Sequence, residues 1–331
     1  MKAIVIDRFG GPEVVRVAEV APPPSAPGRL SIKVAMAGLN PADWKCREGW
    51  LRRYHQPSFP YVLGFDLAGT VSAVGDGCVG FAVGDKVVAK TEVARGGAGS
   101  LAEYTSVPLH FAAHLPAHVP MRDAASVPVA GITAWEAVFE MGQLKSGQTV
   151  LVNGAAGGTG SFAVQLARMI KARVIATCSP GNFDYVRRLG ADHVVDYRAP
   201  GLSEAIMKIC PDGVDLVLDT VGQGVLPQSV QLARRGGRVV TIATLVDGEP
   251  QPDPAAAAAR DVTVATAMSN REREGPQLLA LVAALADGRI RVPEIEVLPV
   301  WRAGEGLERL KAGHVRGKLV LSLGAADWQP G

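Results

Sequence analysis

The amino-acid sequence predicts an α/β protein in which a doubly wound parallel sheet is combined with a smaller, strongly bent β barrel. The middle of the chain alternates short apolar runs with segments of helical period, as is typical of parallel strands covered by helices. The first part of the chain is instead rich in strand-like runs punctuated by Gly and Pro, which favours antiparallel strands joined by tight turns.

The central element is a glycine-rich turn at residues 154–160, which follows the apolar run 149–152 and leads directly into a helix. Backbone N–H groups at a helix start, together with the helix dipole, hold a pyrophosphate where no side chain blocks the approach. Gly157 and Gly158 remove such side chains, and Gly160 lets helix and strand pack closely. Because Ala155 occupies the first position of G-x-G-x-x-G, the motif alone is a weak signal.

The segments after this turn strengthen the interpretation. Strand candidates recur with helices between them, at residues 172–177, 191–197, 214–219, 237–243 and 261–266. Together with 149–152 they make six strands of a doubly wound parallel sheet, the architecture of a dinucleotide-binding domain. The alternative is a glycine turn in an α/β domain that binds nothing.

Composition excludes several other classes of protein. The chain has 331 residues, 48% of them hydrophobic and 20% charged, with a net charge of +2 and no run of like charges. These values predict two globular domains and neither a nucleic-acid nor a membrane partner. No apolar run approaches the roughly 20 residues of a membrane span, and the start is too short for a signal-peptide core, so we expect a cytoplasmic protein. The four cysteines show no C-x-x-C spacing, which argues against a disulfide framework or a zinc knot.

The β-rich first part predicts strands at residues 29–36, 64–71 and 81–88, with a helical turn that begins near Pro41. The change of composition places a domain boundary near Arg122. At the other end, an apolar helix at 278–286 and a strand at 318–323 follow the sixth strand of the sheet.

Seven short motifs then give a specific resemblance. They are Gly-Leu-Asn-Pro-Ala-Asp at 38–43, Gly-Phe-Asp-Leu-Ala-Gly-Thr-Val at 64–71, Val-Gly-Asp-Lys-Val at 83–87, Gly-Ile-Thr-Ala-Trp at 131–135, Asn-Gly-Ala-Ala-Gly-Gly-Thr-Gly at 153–160, Asp-Thr-Val-Gly at 219–222 and Gly-Lys-Leu-Val-Leu at 317–321. In order and spacing the chain resembles the zinc-independent medium-chain dehydrogenases/reductases, in the quinone oxidoreductase group. The resemblance implies a GroES-like catalytic domain (1–122), an NAD(P)-binding Rossmann domain (123–270) and a C-terminal return to the catalytic domain (271–331).

Zinc-dependent relatives carry a Cys before the motif Asp and a Gly-His-Glu where this chain has Gly64-Phe65-Asp66. Asn40 and Phe65 cannot replace the missing thiolate and imidazole, and none of the six histidines stands with a Cys or carboxylate at metal spacing. We therefore expect no metal. Without a Lewis acid to polarise an alcohol, reduction of an electrophilic conjugated carbonyl is the easier reaction.

The residues at the end of the second strand indicate whether NAD or NADP is expected. NAD enzymes place an acid there to bind the ribose diol, and this chain has Thr177 followed by Cys178 and Ser179. Two hydroxyls without an acid favour NADPH, and Thr177→Asp is expected to reverse the preference. The cation for the 2′-phosphate is left open between Arg187, Arg198 and Lys318.

The resemblance also implies the remaining cofactor contacts. Tyr197 matches a position near the 2′-phosphate, with packing on the sheet as its alternative, and Thr133 matches a threonine near the nicotinamide phosphate and ribose, with a bond to its own helix as its alternative. The residues expected to bind the cofactor are Thr133, Gly154, Ala156, Gly157, Gly158, Thr159, Gly160, Thr177, Ser179, Tyr197, Val221, Ile242, Ala243, Thr244, Met268, Ser269 and Lys318.

On the substrate side, Trp44, Trp50 and Phe65 are expected to form an aromatic pocket for a flat or acyl-chain substrate. The resemblance places Asn40 near the nicotinamide and substrate, although an Asn that caps the Pro41 helix is an open alternative. Tyr54 and Lys45 are the nearest proton donors, and water is another. Asn40 and Tyr54 are our catalytic candidates.

The resulting hypothesis is a zinc-independent, NADPH-dependent reductase of quinones or α,β-unsaturated carbonyls. The alternatives are a non-catalytic NADPH-binding sensor or structural protein and, less favoured, a zinc alcohol dehydrogenase. Residues 261–266 form an apolar strand at the edge of the sheet without a Pro or Lys, so we also expect a homodimer through this strand.

Overall fold

The structure, a computed structural model, describes residues 1–222, 224–242, 245 and 248–329. It divides into two compact units. The first contains Met1–Ala130, Arg271–Gly288 and Glu294–Gly331, and the second contains Gly131–Asn270 and Arg289–Pro293. The first division follows residue 130 rather than Arg122 because helix Met121–Ala124 packs on two strands of the first unit.

In chain order, the strands of the described residues are β1 (Lys2–Ile6), β2 (Arg16–Glu19), β3 (Arg29–Gly38), β4 (Tyr61–Val62), β5 (Asp66–Val74), β6 (Lys86–Lys90), β7 (Tyr104–Pro108), β8 (Ala112–His114), β9 (Thr149–Asn153), β10 (Arg173–Cys178), β11 (His193–Asp196), β12 (Val214–Asp219), β13 (Ala233–Ile242), β14 (Thr263–Ala267), β15 (Ile295–Pro299) and β16 (Lys318–Ser322). The helices are α1 (Pro41–Arg47), α2 (Met121–Ala124), α3 (Pro128–Trp135), α4 (Gly158–Met169), α5 (Phe183–Leu189), α6 (Leu202–Ile209), α7 (Ser229–Leu232), α8 (Pro254–Ala259), α9 (Arg271–Ala286) and α10 (Ala303–Ala312).

The first unit is built on a seven-stranded sheet in which β3 is central. Strands follow the order β15-β16-β3-β5-β6-β8, and β7 also pairs with β3. The β3–β5 pairing shifts register between Ser31 and Ile32 and again between Val34 and Met36. Such shifts bend a strand, and they give a physical reason for the strong bending that the sequence predicts for this sheet. Strand β16 pairs antiparallel with the end of β3, so the C-terminal return completes this sheet.

One predicted strand of this unit begins later than expected. The interpretation of residues 81–88 as strand is wrong for its first half, since β6 begins at Lys86. Gly84 has a positive φ of 98°, and the backbone N–H of Ala82 donates to the Asp85 carboxylate over 2.8 Å. Residues 81–85 therefore form a side-chain-stabilised turn.

The second unit contains the six parallel strands that the sequence predicts, in the order β11-β10-β9-β12-β13-β14. This order confirms the doubly wound sheet: successive strands are added on one side of β9 as far as β11, and on its other side from β12 onward. Residues 289–293 return to this unit because the Gln165 amide pairs with the backbone of Arg291: its Oε1 accepts over 2.8 Å and its Nε2 donates over 2.9 Å.

Candidate functional site

The glycine turn between β9 and α4 has the geometry of a phosphate-binding loop. Gly154 has a positive φ of 76°, and a Cβ there would lie 2.6 Å from Val221 Cγ2. A Cβ on Gly160 would clash with the carbonyl oxygen of Gly154. Both positions therefore require glycine, the first for its backbone conformation and the second for the close approach of helix and turn.

The start of α4 fits a pyrophosphate. Gly157, Gly158 and Thr159 are half-buried, which leaves the first turn accessible, and that turn carries no acidic side chain. Ala156 is buried at the base of the turn. Since the first N–H groups of a helix lack partners within the helix, this turn offers donors and the positive end of a dipole to an anion.

A buried polar network holds the turn in place. Asn153, at the end of β9, donates from Nδ2 to Asp219 over 2.8 Å, and Thr177 donates from Oγ1 to Asn153 Oδ1 over 2.6 Å. The backbone N–H of Gly154 in turn donates to Thr177 Oγ1 over 3.3 Å. Three neighbouring strands are thus tied together at the edge where the turn begins. Sequence reasoning missed the roles of Asn153 and Asp219, although both are polar residues that end apolar strands.

The structure corrects the assignment of Thr177 to direct cofactor contact. Its side chain is 0% exposed, and its hydroxyl proton is donated to Asn153. A hydroxyl has one proton to donate, so Thr177 has none left for a phosphate. Thr177 positions the turn instead.

Ser179 and Tyr197 follow the ends of two paired strands. The strand-final residues Cys178 and Asp196 are register partners in β10 and β11. Ser179 is half-buried and accepts a hydrogen bond from Asn182 Nδ2 over 3.0 Å. Tyr197 is 39% exposed, and its hydroxyl accepts a hydrogen bond from Arg198 Nε over 3.1 Å. Both hydroxyls are thus accessible just beyond the ends of β10 and β11.

The other predicted cofactor contacts that the structure describes in the second unit lie at or just after the carboxyl ends of the strands, or in α3. Val221 and Met268 are 43% and 54% exposed, unusual values for apolar side chains of this size. Ile242, Ser269 and Thr133 are half-buried. Exposed apolar residues at these strand ends suit a flat ligand ring. Ala243 and Thr244 lie outside the described residues. Thr133 precedes a π-helical segment, Glu136–Met141, a feature that often marks functional sites.

The first unit contains a buried charge cluster formed by Asn40, Asp43, Asp66 and Lys318. Lys318 donates from Nζ to Asn40 Oδ1 over 2.5 Å and to the Leu39 carbonyl over 2.8 Å, and Nζ lies 3.5 Å from Asp66 Oδ2. Asn40 Nδ2 donates to the same Asp66 oxygen over 2.8 Å. All four cluster residues are at most 4% exposed.

Burial has the largest effect on the pKa values of the titratable groups in this cluster. It raises the pKa of Asp43 to about 8, against hydrogen bonds from the backbone of Asn40 and Phe65 that lower it. Burial also raises the pKa of Asp66, with the Lys318 ammonium opposing the shift, and lowers the pKa of Lys318. Asp43 Oδ1 has no hydrogen-bond partner among the described atoms. A pKa of about 8 favours the neutral acid at pH 7, and an unpaired oxygen costs less in a neutral acid than in a buried carboxylate.

Two predicted roles change because of this cluster. Lys318 cannot serve as the cation for a 2′-phosphate, because its buried ammonium is bound by Leu39, Asn40 and Asp66. The amide of Asn40 is likewise engaged at both ends and is 2% exposed. Asn40 therefore links Lys318 to Asp66, and neither end of its amide is left for a substrate. Its backbone N–H donates to Asp43 over 2.7 Å, which closes the first turn of α1.

The structure brings two of the pocket aromatics together. Trp44 and Trp50 meet edge to face with ring centres 4.9 Å apart, and the Lys45 ammonium lies 5.3 Å from the Trp44 ring centre. Trp44 and Phe65 are buried, at 7% and 6% exposure, so neither presents a broad open wall. Tyr54 is 49% exposed, and the Arg53 guanidinium covers its ring at 5.0 Å. An exposed phenol remains available to a ligand, whereas Phe65 is largely core.

Among the described residues, no three His, Cys, Asp or Glu side chains converge as they would around a metal ion. Nor does any helix in that part of the chain have the length and apolar character needed to cross a membrane.

Comparisons with known proteins agree with this architecture. Residues 26–117 match the family of alcohol dehydrogenase GroES-like domains, and residues 158–284 match the zinc-binding dehydrogenase family. The chain is 32% identical to the chloroplastic quinone-oxidoreductase QR1 of Triphysaria versicolor, over 97% of this chain and 98% of that protein. It is 36% identical to the 2-methylene-furan-3-one reductase of Solanum lycopersicum, over 73% of this chain and 62% of that protein. The crystal structure of an NAD-dependent alcohol dehydrogenase superposes with a TM-score of 0.89 at 28% identity, over 98% of this chain and all of the other.

Proposed function

Because the chain belongs to the medium-chain dehydrogenase/reductase superfamily, in its quinone oxidoreductase group, we propose that it is a zinc-independent reductase that uses NADPH to reduce a quinone or an α,β-unsaturated carbonyl compound. The observation that carries the proposal is the glycine turn of the second unit. Its helix start is accessible, and at the end of β10 the chain has Thr177, Cys178 and Ser179 in place of the acid that binds an unphosphorylated ribose. The two relatives named above reduce, by their names, a quinone and a conjugated furanone, which supports this substrate class.

Bound NADPH would supply the hydride. The protein's part is to hold and orient it: the first turn of α4 would bind the pyrophosphate, and the network of Asn153, Thr177 and Asp219 keeps that turn fixed. Ser179 offers a hydroxyl to the adenosine ribose or its phosphate. The exposed side chains of Val221 and Met268 would pack against the nicotinamide half and exclude water there.

Zinc independence rests on the chemistry of the side chains in the first unit. At the positions where the resemblance puts thiolate and imidazole ligands, the chain has an amide and a phenyl ring, Asn40 and Phe65. The amide is engaged by Lys318 and Asp66, and the ring cannot coordinate a metal. A quinone or enone needs no Lewis acid of this strength, because conjugation already makes it electrophilic. Retained activity in a chelator and a purified protein without stoichiometric zinc are the expected results.

The side chains of the first unit are compatible with the proposed substrate class. After the motif at residues 38–43, the Trp44–Trp50 pair, Lys45 and the exposed Tyr54 provide aromatic, cationic and phenolic side chains. Reduction of a quinone needs only a proton that solvent can supply. Reduction of an enone needs a proton at carbon, for which Tyr54 and Lys45 stay the candidate donors.

The test is a panel of small quinones, alkenals and acyl thioesters, followed through the decrease of NADPH absorbance and accompanied by titration calorimetry with NADPH. Turnover of at least one class supports a reductase. NADPH binding without turnover of any class would favour the alternative, a sensor or structural protein that keeps the fold. Oxidation of simple alcohols that depends on added zinc would contradict the proposal and favour the remaining alternative, a zinc alcohol dehydrogenase.

We also propose a homodimer through β14. This strand is an end strand of the sheet, paired with β13 alone among the described strands, and its Val264 side chain is 37% exposed. Pairing with the same strand of a second copy about a two-fold axis would satisfy its outer backbone groups. A cytoplasmic location remains a prediction, since the named plant relative is chloroplastic.

A further inference from the structure

We infer that Arg198, whose guanidinium lies against Tyr197, is the residue that makes the protein select a nucleotide with a 2′-phosphate. The inference rests on the proposed use of NADPH and names the cation that the sequence left open. It depends on three features of the second unit: the position of the pair, the state of its hydroxyls and the absence of a competing counter-ion among the described residues.

The position follows from the strand register. Cys178 and Asp196 are partners in the parallel pair β10–β11, so the chain leaves both strands at the same edge of the sheet. In a doubly wound sheet the end of the second strand lies beside the adenosine ribose, where an acid reads the diol or an arginine accepts a 2′-phosphate. Ser179 and Tyr197 are the first residues beyond these two strand ends, and Arg198 is the next.

The hydroxyls at this edge are arranged as donors. Each hydroxyl has one proton to give and can accept as well. Tyr197 Oη accepts from Arg198 Nε over 3.1 Å, and Ser179 Oγ accepts from Asn182 Nδ2 over 3.0 Å. Both oxygens therefore already accept a hydrogen bond from a neighbour, and each keeps its own O–H to donate to an incoming acceptor. A phosphate monoester is such an acceptor, since all of its outer oxygens accept and it carries a charge near −2.

The charge is also available. Arg198 is exposed, its guanidinium carbon lies 5.4 Å from the Tyr197 ring centre, and it forms no ion pair with a described residue. The ring contact and the Nε bond pre-orient the group. No described residue bonds its terminal nitrogens, which can therefore make a bidentate contact with phosphate oxygens. Asp196, the nearest carboxylate in sequence, accepts the backbone N–H of Arg198 over 2.9 Å, which fixes the turn.

The other two candidate cations each have a carboxylate partner. Arg187 forms an ion pair with Asp184 over 3.1 Å on the surface of α5, and its guanidinium also lies over the Phe183 ring. Lys318 belongs to the buried charge cluster of the first unit. Of the three, Arg198 alone combines an unpaired charge with a hydroxyl partner at the strand edge.

The experiment measures binding of NADPH, NADH, 2′,5′-ADP and 5′-AMP by titration calorimetry, so that no step depends on turnover. Arg198→Gln removes the charge, Tyr197→Phe removes the hydroxyl, and Arg187→Gln is the matched control on a neighbouring exposed arginine. Since a charge-assisted hydrogen bond contributes more than a neutral one, we expect Arg198→Gln to weaken NADPH and 2′,5′-ADP about tenfold or more. NADH and 5′-AMP should change less than about twofold, because they lack the phosphate that this side chain contacts. Tyr197→Phe should give a smaller loss in the same direction, and Arg187→Gln should leave all four ligands unchanged.

The outcomes separate the inference from the proposed function. A wild-type protein that prefers NADPH, with the same preference retained in Arg198→Gln, overturns the role of Arg198 and leaves NADPH use intact. Equal weakening of NADPH and NADH in Arg198→Gln also overturns it, because the residue would then support the loop and not read the phosphate. A wild-type protein that binds NADH as tightly as NADPH, or binds no nucleotide, overturns both. Higher salt should weaken 2′,5′-ADP binding less in Arg198→Gln than in wild type.

Discussion

Lys318→Met would remove the cation from the buried charge cluster of the first unit. In the structure, the ammonium of Lys318 donates to Leu39 and Asn40 and lies 3.5 Å from Asp66. The methionine side chain is about as long as that of lysine and carries no charge. Asp66 would therefore stay 0% exposed, with only Asn40 Nδ2 and the backbone N–H of Val129 as hydrogen-bond donors. Loss of one member of a buried ion pair typically costs about 3–5 kcal/mol, and we expect a decrease of this size in the free energy of unfolding.

Denaturant unfolding followed by tryptophan fluorescence is the appropriate assay. Of the five tryptophans, Trp135 alone belongs to the second unit, so the signal reports mainly on the unit that contains Lys318. Lys33→Met, the same substitution at an exposed position of β3, should change stability by no more than about 0.5 kcal/mol. The double variant Lys318→Met/Asp66→Asn should recover at least about 1 kcal/mol relative to the sum of the single changes, because it leaves no unpaired charge.

The same variant tests what the cluster does for nucleotide binding. If Lys318 stabilises the buried charge cluster and does not contact the cofactor, the ratio of the dissociation constants for NADH and NADPH stays at its wild-type value in Lys318→Met. A selective loss of NADPH affinity would restore Lys318 as the cation for the 2′-phosphate and refute its assignment to the buried cluster. Stability within about 0.5 kcal/mol of wild type would refute the energetic argument, since no buried charge would then have lost its partner.

Three further results are expected. Because the pKa of Asp43 is raised from 3.8 to about 8 on folding, wild-type stability should fall as the pH rises between these values, by at most about 1.4 kcal/mol per pH unit. Asp43→Asn mimics the protonated acid and should remove this dependence. Parallel pH–stability curves for variant and wild type would contradict the prediction. Thr177→Val leaves Asn153 Oδ1 without its donor and should lower stability by about 1–3 kcal/mol. It should weaken the binding of NADPH and NADH equally. A selective loss of NADPH affinity in calorimetry would mean that Thr177 contacts the 2′-phosphate directly. Val264→Lys puts a charge on the exposed edge strand β14 and should convert a homodimer to monomers. Light scattering that finds a monomeric wild-type protein at micromolar concentration would refute the dimer proposal.

Local features of this protein were predictable from the sequence because they depend on neighbouring residues. The strand Val214–Asp219 was predicted with the bounds it has in the structure, since its mostly apolar residues follow a Pro-Asp-Gly turn signal at 211–213 and end at Asp219. The steric need for glycine at Gly160 was also predicted, and a Cβ there would clash with the Gly154 carbonyl. The strand at residues 81–88 was misjudged because Asp85 uses its carboxylate to bind the turn, an interaction that a pattern of apolar residues does not register.

The buried charge cluster depends on contacts that no local pattern contains. Lys318 and Asn40 are 278 residues apart, and they meet because β16 pairs antiparallel with the end of β3, with Val320 opposite Gly38. A lysine at the start of an apolar strand is typical of a solvent-facing or ligand-binding cation. Only the register of these two strands reveals that its ammonium faces an amide and a carboxylate inside the sheet.

Hydroxyl groups at strand ends differ in whether their protons are still available to a ligand. Thr177 and Ser179 are two residues apart and were given the same role from sequence, yet the fold separates them. Thr177 is buried and donates its only proton to Asn153, whereas Ser179 accepts from Asn182 and keeps its proton. A ligand can be bound only by donors that the protein has not already used. Selection of NADPH should therefore depend on the accessible donors beyond the ends of β10 and β11, and an acid introduced at the buried Thr177 should unfold the turn before it changes the cofactor, because its charge would face Asn153 Oδ1 without solvent.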